Sequence, residues 1–173
     1  MTIRPAKCYK KIERPYTRRS AKKPKKGYVK GIPEPKIHRF ESGNFEKKFD
    51  IAAALIAKQN VQIRDNALEA ARVSTLKSLK GLTEQDYFIK IFPYPHHVLR
   101  ENPMATGAGA DRFQTGMRLS FGNPIGSAAQ VKAGQKLIEI RTNCENEQIV
   151  KNALKVAASK LPTTCTISIK KLA

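Results

Sequence analysis

His96, His97, Asp111, Arg112 and the three cysteines carry the reactive groups of this chain, and their positions limit what those groups can catalyse or bind. Asp111 and Arg112 lie in the stretch Glu101–Gly126, which reads ENPMATGAGADRFQTGMRLSFGNPIG. Gly107-Ala108-Gly109 begins like a dinucleotide-binding turn, but Arg112 stands where the third glycine belongs and no βαβ unit with a distal acid comes after it. No Gly-Lys-Ser/Thr is present for a phosphate loop. Asp111 could act as a lone general base; beside Arg112 in a glycine-rich run, a loop-shaping or ion-paired carboxylate is the simpler reading. His96-His97 invites a metal, but adjacent residues of a strand point to opposite faces and no third ligand is evident. Cys8, Cys144 and Cys165 are odd in number, lack metal spacing and read as reduced thiols. No Gly-x-Ser-x-Gly, His-Glu-x-x-His or Cys-x-x-Cys occurs. A binding or structural protein therefore leads. An RNA-processing enzyme working through Asp111 or the histidine pair is the catalytic alternative.

Five of the ten glycines, Gly107, Gly109, Gly116, Gly122 and Gly126, fall in the stretch 101–126, between Pro103 and Pro124 or just beyond. Glycine costs backbone entropy and packs no side chain, so such a cluster reads as loop. A long loop is either a disordered connection or a functional probe on a scaffold. Arg112, Gln114, Thr115, Met117 and Arg118 could contact phosphate, sugar and base faces. Charge favours the probe. The 173-residue chain carries a formal +19, a self-repulsion that a polyanion relieves. Residues 1–30 hold twelve cations against the single acid Glu13, so +11 sits in an N-terminal arm with too little apolar surface to fold alone. Tyr9, Tyr16 and Tyr28 interleave with those cations, as rings that stack on bases would; the plainer alternative is a solvated tail whose tyrosines return to the core. A membrane surface would favour a basic amphipathic helix or a lipidation motif, and the sequence shows neither, nor a spanning run.

The scaffold around these residues is read from pattern. Lys36–Phe40 alternates and reads as a strand, with a turn at Ser42-Gly43-Asn44. The run 49–58, FDIAAALIAK, is ambiguous; its alanines favour helix, its length a buried strand. A first helix starts in a capping box of Asn66 and Glu69, presents Leu68, Ala71, Thr75, Leu76 and Leu79 on one face, and stops at Gly81. Asp86–Phe92 and His97–Arg100 read as strands. Ser127–Lys132 and Lys136–Arg141 read as a hairpin about Ala133-Gly134-Gln135. A second helix, capped by Thr142 or Asn143, buries Ile149, Val150, Ala153, Leu154, Ala157 and Leu161 and ends at Pro162. Thr164–Lys170 closes the chain as a strand, with Cys165, Ile167 and Ile169 on one face. The expected fold class is α+β: mostly antiparallel sheet, two amphipathic helices, a basic arm over 1–30, a domain over 31–173 and the long internal loop.

Three stretches resemble the archaeal and eukaryotic large-subunit ribosomal protein family L-ten-e, the counterpart of bacterial L-sixteen. They are Arg4-Pro5-Ala6-Lys7-Cys8-Tyr9 with Pro15-Tyr16-Thr17-Arg18; Gly31-Ile32-Pro33 with Pro35-Lys36-Ile37; and Ala108 to Arg118 followed by Phe121-Gly122-Asn123-Pro124. The resemblance covers nearly the whole chain. It implies a two-layer hammerhead-type fold and a strand over 49–58. Its implied partners are large-subunit ribosomal RNA near the 5S RNA, the tRNA acceptor end, neighbouring ribosomal proteins and assembly factors, on the cytoplasmic ribosome, with no cofactor. The arm residues expected to meet that RNA, on their charge and interleaved rings, are Arg4, Lys7, Tyr9, Lys10, Lys11, Arg14, Tyr16, Arg18, Arg19, Lys22, Lys23, Lys25 and Lys26. The loop residues are Arg112, Phe113, Gln114, Thr115, Gly116, Met117 and Arg118. Ser20–Lys26 stands as an insertion in the family's arm, so the resemblance carries over no RNA contacts for it, and Phe113 replaces an expected aliphatic residue. A free regulatory RNA-binding or chromatin protein is a third reading of the same charge.

Overall fold

The computed structural model describes residues 4–12, 29, 31–102, 107–109 and 122–172. Among the described residues are eight strands and two α-helices: β1 (Glu41–Gly43), β2 (Ile51–Ala57), β3 (Val61–Arg64), α1 (Asp65–Ser78), β4 (Tyr87–Ile91), β5 (His97–Glu101), β6 (Asn123–Val131), β7 (Lys136–Thr142), α2 (Glu147–Ser159) and β8 (Cys165–Lys171). One antiparallel sheet has the order β1-β4-β7-β2-β8; a smaller one has β3-β6-β5. The helices pack against each other, α1 over β3 and β6, α2 over β2, β7 and β8. The class is α+β, as expected.

The alanine-rich run is strand because of its neighbours. Ala53 pairs with Ile140 on one side and Ile169 on the other, so the bulky branched residues flank the small ones. Strand context overrides helix propensity there. The gap above the alanines is filled by α2, whose Ala153, Leu154 and Ala157 are fully buried. Leu55, Ile63, Leu68, Ile89, Leu137, Ile138 and Ile140 complete the core, each contributing about 1.5–3 kcal/mol of transfer free energy. Away from the helices, Glu139 is 5 % exposed between Lys136 Nζ at 2.7 Å and Arg141 Nε at 2.9 Å. Burial alone would raise its carboxyl; the two cationic donors outweigh that and hold it below the ordinary glutamate value.

Several expectations need correction. Lys36–Phe40 is not a strand. It runs irregularly, with Ile37 buried, and only the Phe40 carbonyl reaches β4, accepting from Ile91 N–H at 2.8 Å. The strand is β1, so Ser42 and Gly43 are in it and the turn falls at Asn44, whose Oδ1 accepts from Glu46 N–H at 2.9 Å. β3 has no counterpart among the expected elements. The capping box is absent: Arg64 is the N-cap without a side-chain bond, Asp65 accepts from Lys36 N–H and Asn66 N–H, and Glu69 pairs with Arg72 instead. The second helix begins at Glu147 after a 3-10 turn at Cys144–Asn146; neither Thr142 nor Asn143 caps it, because Thr142 is still in β7 and donates to Asp86 O. Ile149 lies off the buried face at 38 % exposure. β6 and β7 are not hairpin partners. At their junction Gly134 N–H donates to Ala57 O and Ala57 N–H to Gln135 O, so the turn docks on β2 and passes the chain from one sheet to the other.

Candidate nucleic-acid interface

The glycine-rich stretch joins β5 to β6, which are antiparallel neighbours. β5 and β6 pair down to Glu101↔Asn123, so Glu101 and residues 123–126, expected in the loop, belong to strands. Near this root the ladder jumps from Leu99↔Gly126 to Arg100↔Pro124, leaving Ile125 unmatched and 40 % exposed. Such a bulge twists its strand and re-aims the residues beyond it. It also suits Pro124, which has no N–H to give a ladder.

The start of the arm does not stand free of the body. Ala6–Cys8 form a 3-10 turn, and the backbone beyond it lies along β3, the edge of the small sheet. Gln62 N–H donates to Lys10 O at 2.9 Å and Gln62 Nε2 to Tyr9 O at 3.0 Å, while Arg64 Nη1 donates to Arg4 O at 2.7 Å. These contacts cover an open strand edge. Residues 4–12, too poor in apolar surface to fold alone, are placed here by the hydrogen bonds that the sheet edge supplies.

Glu101 joins arm and loop. One carboxylate oxygen pairs with Arg4 Nε and the other accepts from the Tyr9 hydroxyl at 3.2 Å. The Arg64 guanidinium sits 5.7 Å from the centre of the Tyr9 ring. Burial, then the Glu101 carboxylate, push the Tyr9 phenol up, so it remains a donor. A cavity of about 300 Å³ opens beside this cluster, walled by Tyr9, Pro33, Arg64, Asp65, Leu99 and Ile125. Glu101 escaped sequence reading because its partners lie 92 and 97 residues away, and no local spacing marks such a pair. Glu101→Gln, which keeps an acceptor but removes its charge, is expected to speed amide exchange across residues 4–12 by about three- to tenfold, the net worth of one ordinary hydrogen bond. Hydrogen-exchange mass spectrometry reads it, and unchanged exchange would mean that the backbone bonds to Gln62 and Arg64 suffice.

Of the arm residues singled out, Arg4, Lys7, Tyr9, Lys10 and Lys11 are described, and the four cations are exposed while Tyr9 is half-buried. Arg14, Tyr16, Arg18, Arg19, Lys22, Lys23, Lys25 and Lys26 lie outside the described residues, as do Asp111 and Arg112 to Arg118. Cys8, Cys144 and Cys165 are free thiols, and burial pushes the Cys165 thiol up. His96 rests on the Tyr94 ring, centroids 4.5 Å apart. Among the described residues no three His, Cys, Asp or Glu side chains converge as a metal site would need, and no helix is long and apolar enough to cross a membrane.

Comparison with known proteins gives one consistent result. The family described as ribosomal protein L16p/L10e matches residues 15–168. The large ribosomal subunit protein uL16 of Staphylothermus marinus is 49 % identical over 174 residues, covering 99 % of this chain and 96 % of the relative. The uL16 of Metallosphaera sedula is 46 % identical, covering 98 % of this chain and 95 % of the relative. That of Saccharolobus solfataricus is 49 % identical, covering 98 % and 93 %.

Proposed function

The chain belongs to the ribosomal protein L16p/L10e family, and from that premise we propose that its arm and internal loop act together on RNA within the large ribosomal subunit. It is a structural constituent of that subunit rather than an enzyme, with ribosomal RNA and neighbouring ribosomal proteins as its partners. The finer reading has two parts. The arm, through Arg4, Lys7, Lys10, Lys11, Arg14, Arg18, Arg19, Lys22, Lys23, Lys25 and Lys26, neutralises ribosomal RNA phosphates, near the 5S RNA. The loop, through Arg112, Phe113, Gln114, Thr115, Gly116, Met117 and Arg118, holds the tRNA acceptor end near the peptidyl-transferase centre. Its contribution to peptide-bond formation is position and orientation, with no side chain making or breaking a bond.

The observation that carries this reading is the shared anchor at Glu101. Arg4 and Tyr9 of the arm close on the last residue of β5, where the loop departs. RNA bound by the arm would thereby fix the frame from which the loop projects. Tyr9 then serves as an anchor for the arm, and base stacking falls to Tyr16.

A photo-reactive group placed at Phe113 in reconstituted large subunits tests the loop. Crosslinks to peptidyl-transferase RNA or to the tRNA acceptor end are expected, the latter only when tRNA is present. Crosslinks confined to peripheral RNA would overturn the loop assignment and leave a scaffold protein of the subunit.

A further inference from the structure

The connection between β4 and β5 reads Phe92-Pro93-Tyr94-Pro95-His96, and its burial alternates without a break: the three aromatic residues are exposed and the two prolines buried. Proline fixes φ near −65° and has no N–H to donate, and at Pro95 the chain makes a tight turn in which His96 N–H donates to Tyr94 O at 3.0 Å, bringing the Tyr94 and His96 rings together. The run is also tied down. Phe92 N–H donates to Leu137 O at 3.0 Å, and Phe40 stacks on Tyr94 with centroids 5.2 Å apart and planes 27° apart. His96 lies against the Tyr94 ring at a tilt of 42°, the two centroids 4.5 Å apart. Phe92 is 40 % exposed and Tyr94 45 %.

Two features of the surroundings say what such a surface takes. Lys136 Nζ lies 5.8 Å from the centre of the Phe92 ring, and His38 and Arg39 are exposed immediately before Phe40. The nearby acids are already engaged: Glu139 with Lys136 and Arg141, Glu41 with Lys90. Part-exposed rings rimmed by cations, with the carboxylates neutralised, suit a ligand that is flat, apolar on its faces and anionic along its backbone. A protein surface of ordinary apolar character would not need the cations. An RNA double helix would not offer its base faces.

We infer that the ladder Phe92–Tyr94–His96, backed by Phe40, is a second RNA-contact site on the body of the protein, one that takes unpaired bases by stacking while Arg39 and Lys136 meet the adjoining phosphates. The inference rests on the RNA-binding reading above and adds a site separate from arm and loop. It differs from them in mechanism. The arm binds through charge, whereas the ladder binds through base faces and discriminates single strands from duplex.

The test uses the full chain and two RNA probes of equal length, a single-stranded oligoadenylate and a blunt duplex, titrated across a salt series. Phe92→Leu with Tyr94→Leu removes the aromatic faces but keeps apolar bulk against Phe40. This variant is expected to bind the single strand about tenfold more weakly or worse, the loss of base–ring stacking, and the duplex within twofold of the parent. Its salt slope should match the parent's, because no phosphate contact is lost. Tyr94→Phe should bind like the parent. Thermal unfolding checks the fold, and Phe92→Leu alone, which leaves the Phe40–Tyr94 stack intact, carries the test if the double variant is unstable. Equal losses on both probes, or a single-strand loss under twofold, would overturn the ladder. A parent chain that binds neither probe would instead overturn the RNA-binding reading on which it rests.

Discussion

Replacing Gly122 with alanine is expected to cost about 2–4 kcal/mol of folding stability and to spread the root of the internal loop. Gly122 has φ +70°, a conformation L residues rarely adopt. Space is the second obstacle. A Cβ built there would stand 2.6 Å from the Glu101 carbonyl carbon, 2.7 Å from its oxygen and 2.8 Å from Asn102 N. All three are backbone atoms, so no side-chain rotation relieves the overlap. β5 and β6 must separate at the point where the loop departs. Gly109 is the matched control: its φ is +78°, but a Cβ there meets nothing within 4 Å, so Gly109→Ala should cost about 1–2 kcal/mol, the backbone strain alone. Denaturant unfolding of both variants reads the difference. Because two of the three obstructed atoms belong to Glu101, Gly122→Ala should also loosen residues 4–12, visible as faster amide exchange in the arm. Equal stability of the two variants would show that the hairpin root yields without cost.

This coupling also marks where sequence reading succeeds and where it stops. Leu68, Ala71 and Leu79 repeat at helical spacing, and Cys165, Ile167 and Ile169 alternate; one amphipathic element displays its own period, so both are legible. Partners are not displayed in that way. Ser127–Lys132 and Lys136–Arg141 have the spacing of a hairpin, yet they enter different sheets because the turn between them bonds to Ala57, far away in the chain. The same blindness hides β3, four residues long, whose identity as a strand depends on β6. It hides Glu101 too, an ordinary acid until the fold brings Arg4 and Tyr9 to it. Helix caps fail for a local reason. Asn66 and Asn143 are good cap types, but Asp65 already supplies the acceptor at the first helix and a 3-10 turn takes up the start of the second.

Neutralising Arg18, Arg19, Lys22, Lys23, Lys25 and Lys26 together is expected to weaken binding to ribosomal RNA on the order of a thousandfold at about 0.1–0.2 M salt. These six are half of the cations in residues 1–30 and reduce the arm from +11 to +5. Each phosphate contact releases condensed counterions, so losing six should flatten the plot of log affinity against log salt by about four to five units. The parent slope should lie between about −4 and −9 if roughly six to ten cations are engaged. The buried core runs from Ile37 to Leu161, so the unfolding midpoint should not move. A single change at Arg4 provides the contrast. It removes at most one unit of slope but unfastens the arm from Glu101, so its effect should appear in exchange at residues 4–12 more than in affinity. If the sixfold variant kept the parent's slope, the arm's charge would not be engaged with phosphates, and RNA affinity would have to come from the loop and the body. If slope and affinity fell as stated while Phe113 still crosslinked to the same RNA, arm and loop would be separable devices, one for holding the protein in the subunit and one for reaching its target.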